Sequence, residues 1–103
     1  MEETKFKVWD KDEKIFLDVP WYDLWQDPTV EFFRYTGLKD SDGTEEYFGD
    51  VIGEEDGTKR IIEDGCSAVL FINIKNRNDI KYFWQLASHI IIGHIRPNPE
   101  LLN

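Results

Sequence analysis

The stretch RYTGLKDSDGTEEYFGDV, Arg34 to Val51, decides the fold. It holds a Thr-Gly pair, an Asp-Ser-Asp-Gly run and a Gly-Asp pair between aromatic and β-branched flanks. Asp-Gly between β-favouring runs suits the two left-handed residues of a type I′ hairpin turn. The stretch therefore reads as a hairpin. Thr36-Gly37 ends one extended segment, Asp42-Gly43 makes the turn, and Gly49-Asp50 bends the chain into the next strand. A calcium loop fails on spacing, because an EF-hand needs Gly at position six and Glu at position twelve. Counted from Asp40, Gly43 falls at four, Glu45 at six and Val51 at twelve.

Working outward, Asp56-Gly57 and Asp64-Gly65 repeat the turn signal and suggest a meander. Eight segments read as strands: KFKVW (5–9), KIFLDV (14–19), VEFFRY (30–35), EEYFGDVI (45–52), TKRIIE (58–63), CSAVLFINI (66–74), IKYFWQL (80–86) and HIIIGHI (89–95). Their Val, Ile, Phe, Tyr and Trp content fits a pleated, half-buried surface. KFKVW alternates so that Phe6 and Val8 point inward while Trp9 shares the outer face with Lys5 and Lys7. The near-continuous apolar run AVLFINI predicts a central strand covered on both faces. Helical signals are weak. Pro20 is tolerated at the start of a turn through Trp21 to Trp25, and Pro28 forbids its continuation. The 80–86 segment has some helical spacing but favours a strand. The expectation is one all-β, mainly antiparallel domain over 1–103. It is built as a small barrel or two packed sheets, with at most one or two short helical turns and with N-terminal strands 1–34 packing on a barrel-like part 35–103.

A chain of 103 residues with 41% hydrophobic and 15% aromatic content supports one modest core. The lone cysteine, Cys66, has no internal disulfide partner, no signal-peptide pattern opens the chain, and no apolar run approaches a membrane span. A soluble protein of a reducing, cytoplasmic compartment is expected. Net charge is −9, and Lys39 to Gly65 holds ten acids against three bases. Such a surface repels nucleic-acid phosphates and anionic lipid.

Catalytic and metal chemistry find little support. Asp50 with His89 or His94 is a conceivable acid-base set, but an Asp after Gly at a bend ordinarily anchors the strand by accepting backbone hydrogen bonds. Cys66 with two histidines falls short of a zinc set, which takes three or four ligands. His89 and His94, five apart, face opposite sides of an unbroken strand. Phosphate-loop glycine patterns are absent. No catalytic, cofactor or metal residues are therefore assigned. Most aromatics are needed as core fillers. Trp21, Tyr22 and Trp25, in a Pro-flanked loop, and Glu54, Glu55 and Asp56, in the acidic middle, form the candidate partner surface.

The motifs together resemble the YopX family of phage and prophage proteins. The central signature is matched by Tyr35, Thr36, Gly37, Leu38, Lys39, Asp40, Gly43, Tyr47, Gly49, Asp50 and Val51. The closing block is similar through Ile92, Gly93, Ile95, Asn98, Pro99, Glu100 and Leu101, and the opening block through Trp9-Asp10-Lys11. Glu46, Phe48 and His94 depart from the pattern. Glu46 and Phe48 exchange polar and apolar roles, which marks a local bulge. The resemblance implies a mostly β protein with an SH3-like barrel in its C-terminal part, a phage or prophage origin and a bacterial cytoplasmic workplace; it implies no reaction. The leading expectation is a non-enzymatic accessory protein that binds a host or phage protein, or its own copy, with the acidic middle imitating nucleic-acid charge as a sharper variant. Single-stranded nucleic-acid binding through aromatics on the barrel face is the alternative. A small hydrolase built on Asp50 and His94 ranks third.

Overall fold

The computed structural model describes residues 5–103. Nine strands follow one another: β1 (Phe6–Asp10), β2 (Ile15–Leu17), β3 (Val30–Lys39), β4 (Glu45–Tyr47), β5 (Asp50–Glu54), β6 (Lys59–Asp64), β7 (Val69–Asn73), β8 (Ile80–Lys81) and β9 (His89–His94). They make two antiparallel sheets, ordered β2-β1-β3-β4 and β8-β7-β6-β5-β9. The expected all-β architecture of two packed sheets is the one observed. Three single 3₁₀ turns interrupt it, at Trp21–Asp23, Phe83–Gln85 and Pro99–Leu102. The third exceeds the expected number, and it begins where Pro99 supplies a helical φ without needing an N–H.

The Asp-Gly turns are tighter in chemistry than a type I′ reading allows. Asp40 and Thr44 exchange a backbone bond of 2.9 Å, Gly43 donates to the Asp40 carbonyl at 3.0 Å, and only the glycine is left-handed (φ +82). Glu54, Gly57 and Thr58 repeat the arrangement. Each is a type I turn closed by a left-handed Gly, the common three-residue hairpin loop. At the third pair the left-handed residue is Cys66 (φ +72) rather than Gly65.

Thr36-Gly37 does not end a strand. β3 runs on to Lys39, and its pairing with β4 jumps from Tyr35↔Tyr47 to Lys39↔Glu45. The extra residues form a bulge in which Gly37 takes φ +86. The Thr36 hydroxyl donates to the Glu46 carbonyl (2.8 Å) and accepts from the Leu38 N–H (3.1 Å), replacing the lost ladder bonds. The bulge expected from the Glu46 and Phe48 exchange lies on the strand opposite Glu46. Position 34, where the N-terminal strands were expected to end, falls inside β3, which joins β1 to β4.

The five-stranded sheet carries the densest core: Ile52, Ile62 and Phe71 are buried, with Leu38, Phe48, Val69, Leu86 and Ile91 packed against them. Each such side chain contributes about 1.5–3 kcal/mol. Phe71 and Ile72, consecutive on β7, are both buried, as a strand covered on both faces requires. In β1 the one-sided reading fails for Trp9, which is buried beside Val8 and packs edge-on against Phe16 at 5.0 Å. On that face Phe16 in turn meets His94 of the second sheet edge-on at 5.0 Å. Contacts across the seam include the Ser41 N–H to the His89 carbonyl (2.9 Å), Gly49 N–H to the Ile62 carbonyl (2.9 Å), and the Arg96–Glu31 ion pair (2.8 Å).

Candidate functional site

Polar chemistry at the seam is spent on the fold. Asp50 sits just past the β4–β5 bend, where its Oδ2 accepts the Tyr47 N–H at 2.8 Å. This is the anchoring role expected of a turn aspartate. Burial raises its carboxyl from 3.8 to about 6, against the pull of that backbone bond and of Lys7, whose Nζ lies 3.9 Å away.

His94 is Asp50's partner across β5 and β9, yet the two side chains bond to different groups. Its Nε2–H donates to the Phe48 carbonyl (3.2 Å), and its Nδ1 accepts the Arg96 N–H (3.1 Å). Both ring nitrogens are occupied by backbone. Phe16 and Phe33 stand edge-on to the ring at 5.0 and 4.5 Å. Burial lowers its pKa to about 4, so it is neutral at pH 7. In this arrangement neither ring nitrogen is free to exchange a proton with a substrate.

Glu46 and His89 make a second buried pair. Their Oε1 and Nε2 lie 2.6 Å apart, which requires one proton between them, and Glu46 Oε2 has no hydrogen-bond partner among the described residues. Burial raises the Glu46 pKa. Phe71 and Phe83 cover the imidazole at 5.8 and 5.9 Å. The two histidines stay in separate environments, and β9 is bulged at Ile92 rather than unbroken. Asp40 is also buried. Burial pushes its pKa up, but the N–H groups of Ile91, Thr44 and Asp42 outweigh this and hold it below the usual value. Asp40 thus ties the β3–β4 hairpin to β9. Among the described residues no group of three or more His, Cys, Asp or Glu is arranged to hold a metal.

The acidic middle divides in the same way. Glu54 is turned inward, its side chain 6% exposed, and its Oε2 pairs with the Arg60 Nε at 2.7 Å. Arg60, itself buried, reaches Asp79 Oδ2 at 3.0 Å and the carbonyls of Asp79 and Phe71. Lys81 caps Glu54 Oε1 at 3.3 Å. Glu54 is therefore part of a buried ion network and offers no partner surface. Glu55 and Asp56 remain exposed on the β5–β6 turn. With Asp40, Glu46 and Asp50 also inside, the charge available for imitating a nucleic acid is smaller than the sequence count.

The Pro-flanked aromatics also split. Trp21 packs against Phe6 at 5.0 Å, whereas Tyr22 and Trp25 are 62% and 64% exposed. Tyr22 and Trp25 are far in sequence from Glu55 and Asp56.

A second aromatic surface was missed. Tyr82 and Trp84 stack in parallel at 4.8 Å and 11°, and Trp84 is 77% exposed. The 80–86 segment had been read as a strand, but β8 stops at Lys81 and a 3₁₀ turn follows, because the Tyr82 N–H is captured by Gln85 Oε1 (2.8 Å). Three consecutive aromatics, Tyr82-Phe83-Trp84, were the available signal: a strand of period two cannot bury all of them. Beside the stack lies a hollow of about 310 Å³ lined by Thr36, Leu38, Ala68, Val69, Phe83 and Trp84. A further hollow of about 340 Å³ lies by the Asp56-Gly57 turn, with Lys59 and Lys75 on its wall.

The crystal structure of protein EF1440 from Enterococcus faecalis is similar over 98% of this chain and 99% of that one, with a TM-score of 0.66 and 18% identity. That likeness is one of fold. No curated protein sequence matches the chain. A family model described as YopX protein matches residues 21–103. The match takes in β3 to β9, and with them the Thr36-Gly37 bulge, the Asp40 clasp and the Gly49-Asp50 bend. The chain belongs to the YopX family.

Proposed function

We propose that the protein is a non-enzymatic binding module that engages a protein through the surface around Tyr82 and Trp84. The observation that carries this reading is the Trp84 ring, stacked on Tyr82 and open to solvent above an apolar hollow. Exposed aromatic anchors beside a pocket are the usual centre of a protein interface. The burial of Asp50, His94, Glu46, His89 and Arg60 supports the same reading, since each is committed to internal bonds. In this account the protein is a phage or prophage accessory factor acting in the bacterial cytoplasm, as the family resemblance implies. The β5–β9 sheet serves as its SH3-like half, and the partner is a host or phage protein or a second copy of the chain.

Single-stranded nucleic acid is the second reading, favoured by the stacked pair itself, which could take a base. The net charge of −9 opposes it, because such binding gains from basic tracks along the backbone. Photo-crosslinking from position 84, compared with position 55 on the exposed β5–β6 turn, tests the proposal in cells that express the protein. A discrete protein adduct from position 84 alone supports it; adducts in equal yield from both positions, or from neither, overturn it.

A further inference from the structure

The hollow at Trp84 does not end there. Its wall at Ser67, Ala68 and Val69 is shared with a second hollow of about 310 Å³, which is lined also by Arg34, Phe48, Asp64 and Cys66. That one shares Arg34, Phe48 and Asp64 with a third of about 290 Å³, which ends on Phe6, Phe32 and Phe33. The three adjoin through these shared walls and make a row of hollows between β3 and the β6–β7 turn, which we treat as one groove. Both ends are aromatic. The middle is polar, with Arg34 and Asp64 paired at 3.4 Å and both side chains half exposed.

We infer that this groove takes an extended peptide segment carrying a Lys or Arg between two large apolar side chains. The inference rests on the protein-binding reading above and adds the chemistry of the partner. A row of open hollows with apolar ends suits a strand-like peptide whose alternate side chains enter the pockets. Charge decides the middle. Arg34 lies against the Phe48 face, 5.1 Å from its guanidinium, and Asp64, whose Oδ2 pairs with Arg34 and whose Oδ1 accepts the Cys66 N–H, keeps half of its side chain exposed, with lone pairs left for a further cation. The surrounding protein, at −9, attracts a cationic segment and repels an anionic one before contact. At the Trp84 end the open indole face adds a cation–π surface for a flanking base.

Three capped peptides test this: Phe-Ser-Lys-Ser-Leu, Phe-Ser-Gln-Ser-Leu and Phe-Ser-Glu-Ser-Leu, titrated into the full chain while backbone amide shifts are followed. The expected result is saturable shifts at Leu38, Cys66 to Val69 and Trp84, with the Lys peptide binding about tenfold more tightly than the Gln peptide and the Glu peptide weakest. Asp64→Asn should remove that ranking without removing Gln-peptide binding, and Trp84→Ala should weaken all three. Alkylation of Cys66, which lies in the middle hollow, should slow when the Lys peptide is present. Equal affinity for the three peptides, with shifts in the groove, overturns the cationic partner and leaves the binding-module reading standing. Absence of shifts in the groove with every peptide, in a protein whose spectrum shows it folded, overturns the groove itself.

Discussion

Replacing Gly49 with alanine tests how the Gly-Asp bend is built. Gly49 has φ +88, and a Cβ placed there would lie 2.6 Å from His94 Nε2, 2.9 Å from Cε1 and 3.2 Å from Phe33 Cδ1. The left-handed conformation alone costs alanine about 1–2 kcal/mol. The close approach adds to it. The imidazole is walled in by Phe16 and Phe33, so it can retreat only by breaking its bond to the Phe48 carbonyl and leaving a buried N–H unpaired, which costs about 1–3 kcal/mol. Gly43→Ala is the control: φ is +82 there and nothing lies within 4 Å of the new Cβ. Urea unfolding should therefore find Gly49→Ala roughly 1–3 kcal/mol more destabilising than Gly43→Ala, a further fall of at least about 4 °C in melting temperature. In a His94→Ala background most of the excess should disappear, leaving only the 3.2 Å contact with Phe33. Equal losses for the two glycines would refute the claim that His94 dictates Gly49.

Four further outcomes follow from the buried charges and the open aromatics. Asp50 ionises more reluctantly in the folded state (about 6 against 3.8), so its penalty is absent below pH 3.8, grows as pH rises and is complete above pH 6; Asp50→Asn should gain about 3 kcal/mol relative to the parent on going from pH 3.5 to pH 7, by denaturant titration. His94 works in the opposite sense: it is neutral in the folded state down to about pH 4 but protonates near 6.5 when unfolded, so stability falls as pH drops through that window, and His94→Asn should flatten that fall. Arg60→Ala leaves the buried Glu54 Oε2 without its guanidinium, with Lys81 still on Oε1, and should cost about 3 kcal/mol, whereas Glu55→Lys on the exposed turn should stay within about 0.5 kcal/mol. Trp84→Ala should change stability by no more than about 0.5 kcal/mol, because the ring is largely in water already.

The parts of the fold legible in the sequence were those governed by local chemistry. Asp-Gly punctuation located two hairpins whose loops close on Gly43 and Gly57, and the apolar run of β7 announced a strand covered on both faces. What could not be read depended on partners distant in sequence. Trp9 is buried because Phe16 covers it, and Thr36-Gly37 continues a strand because β4 accepts a bulge. Glu54 and Asp56 are two residues apart on the same hairpin, yet one faces Arg60 and the other faces water. The same holds for the candidate site. Trp21, Tyr22 and Trp25 were noticed because prolines flank them, and two of the three are open to solvent. Trp84 sat in a segment that resembled a strand, and the groove beneath it is assembled from β3, the β6–β7 turn and the 82–84 turn, which no local pattern connects.

The claim that this chain works by binding at its open aromatics, with its buried acids and histidines serving the fold, meets its most direct test in one comparison. Affinity for the protein captured from position 84 is measured at pH 7 for the parent, Trp84→Ala and Asp50→Asn. The account predicts a loss of about tenfold or more for Trp84→Ala and unchanged affinity for Asp50→Asn. Unchanged binding in Trp84→Ala together with loss in a folded Asp50→Asn would contradict it.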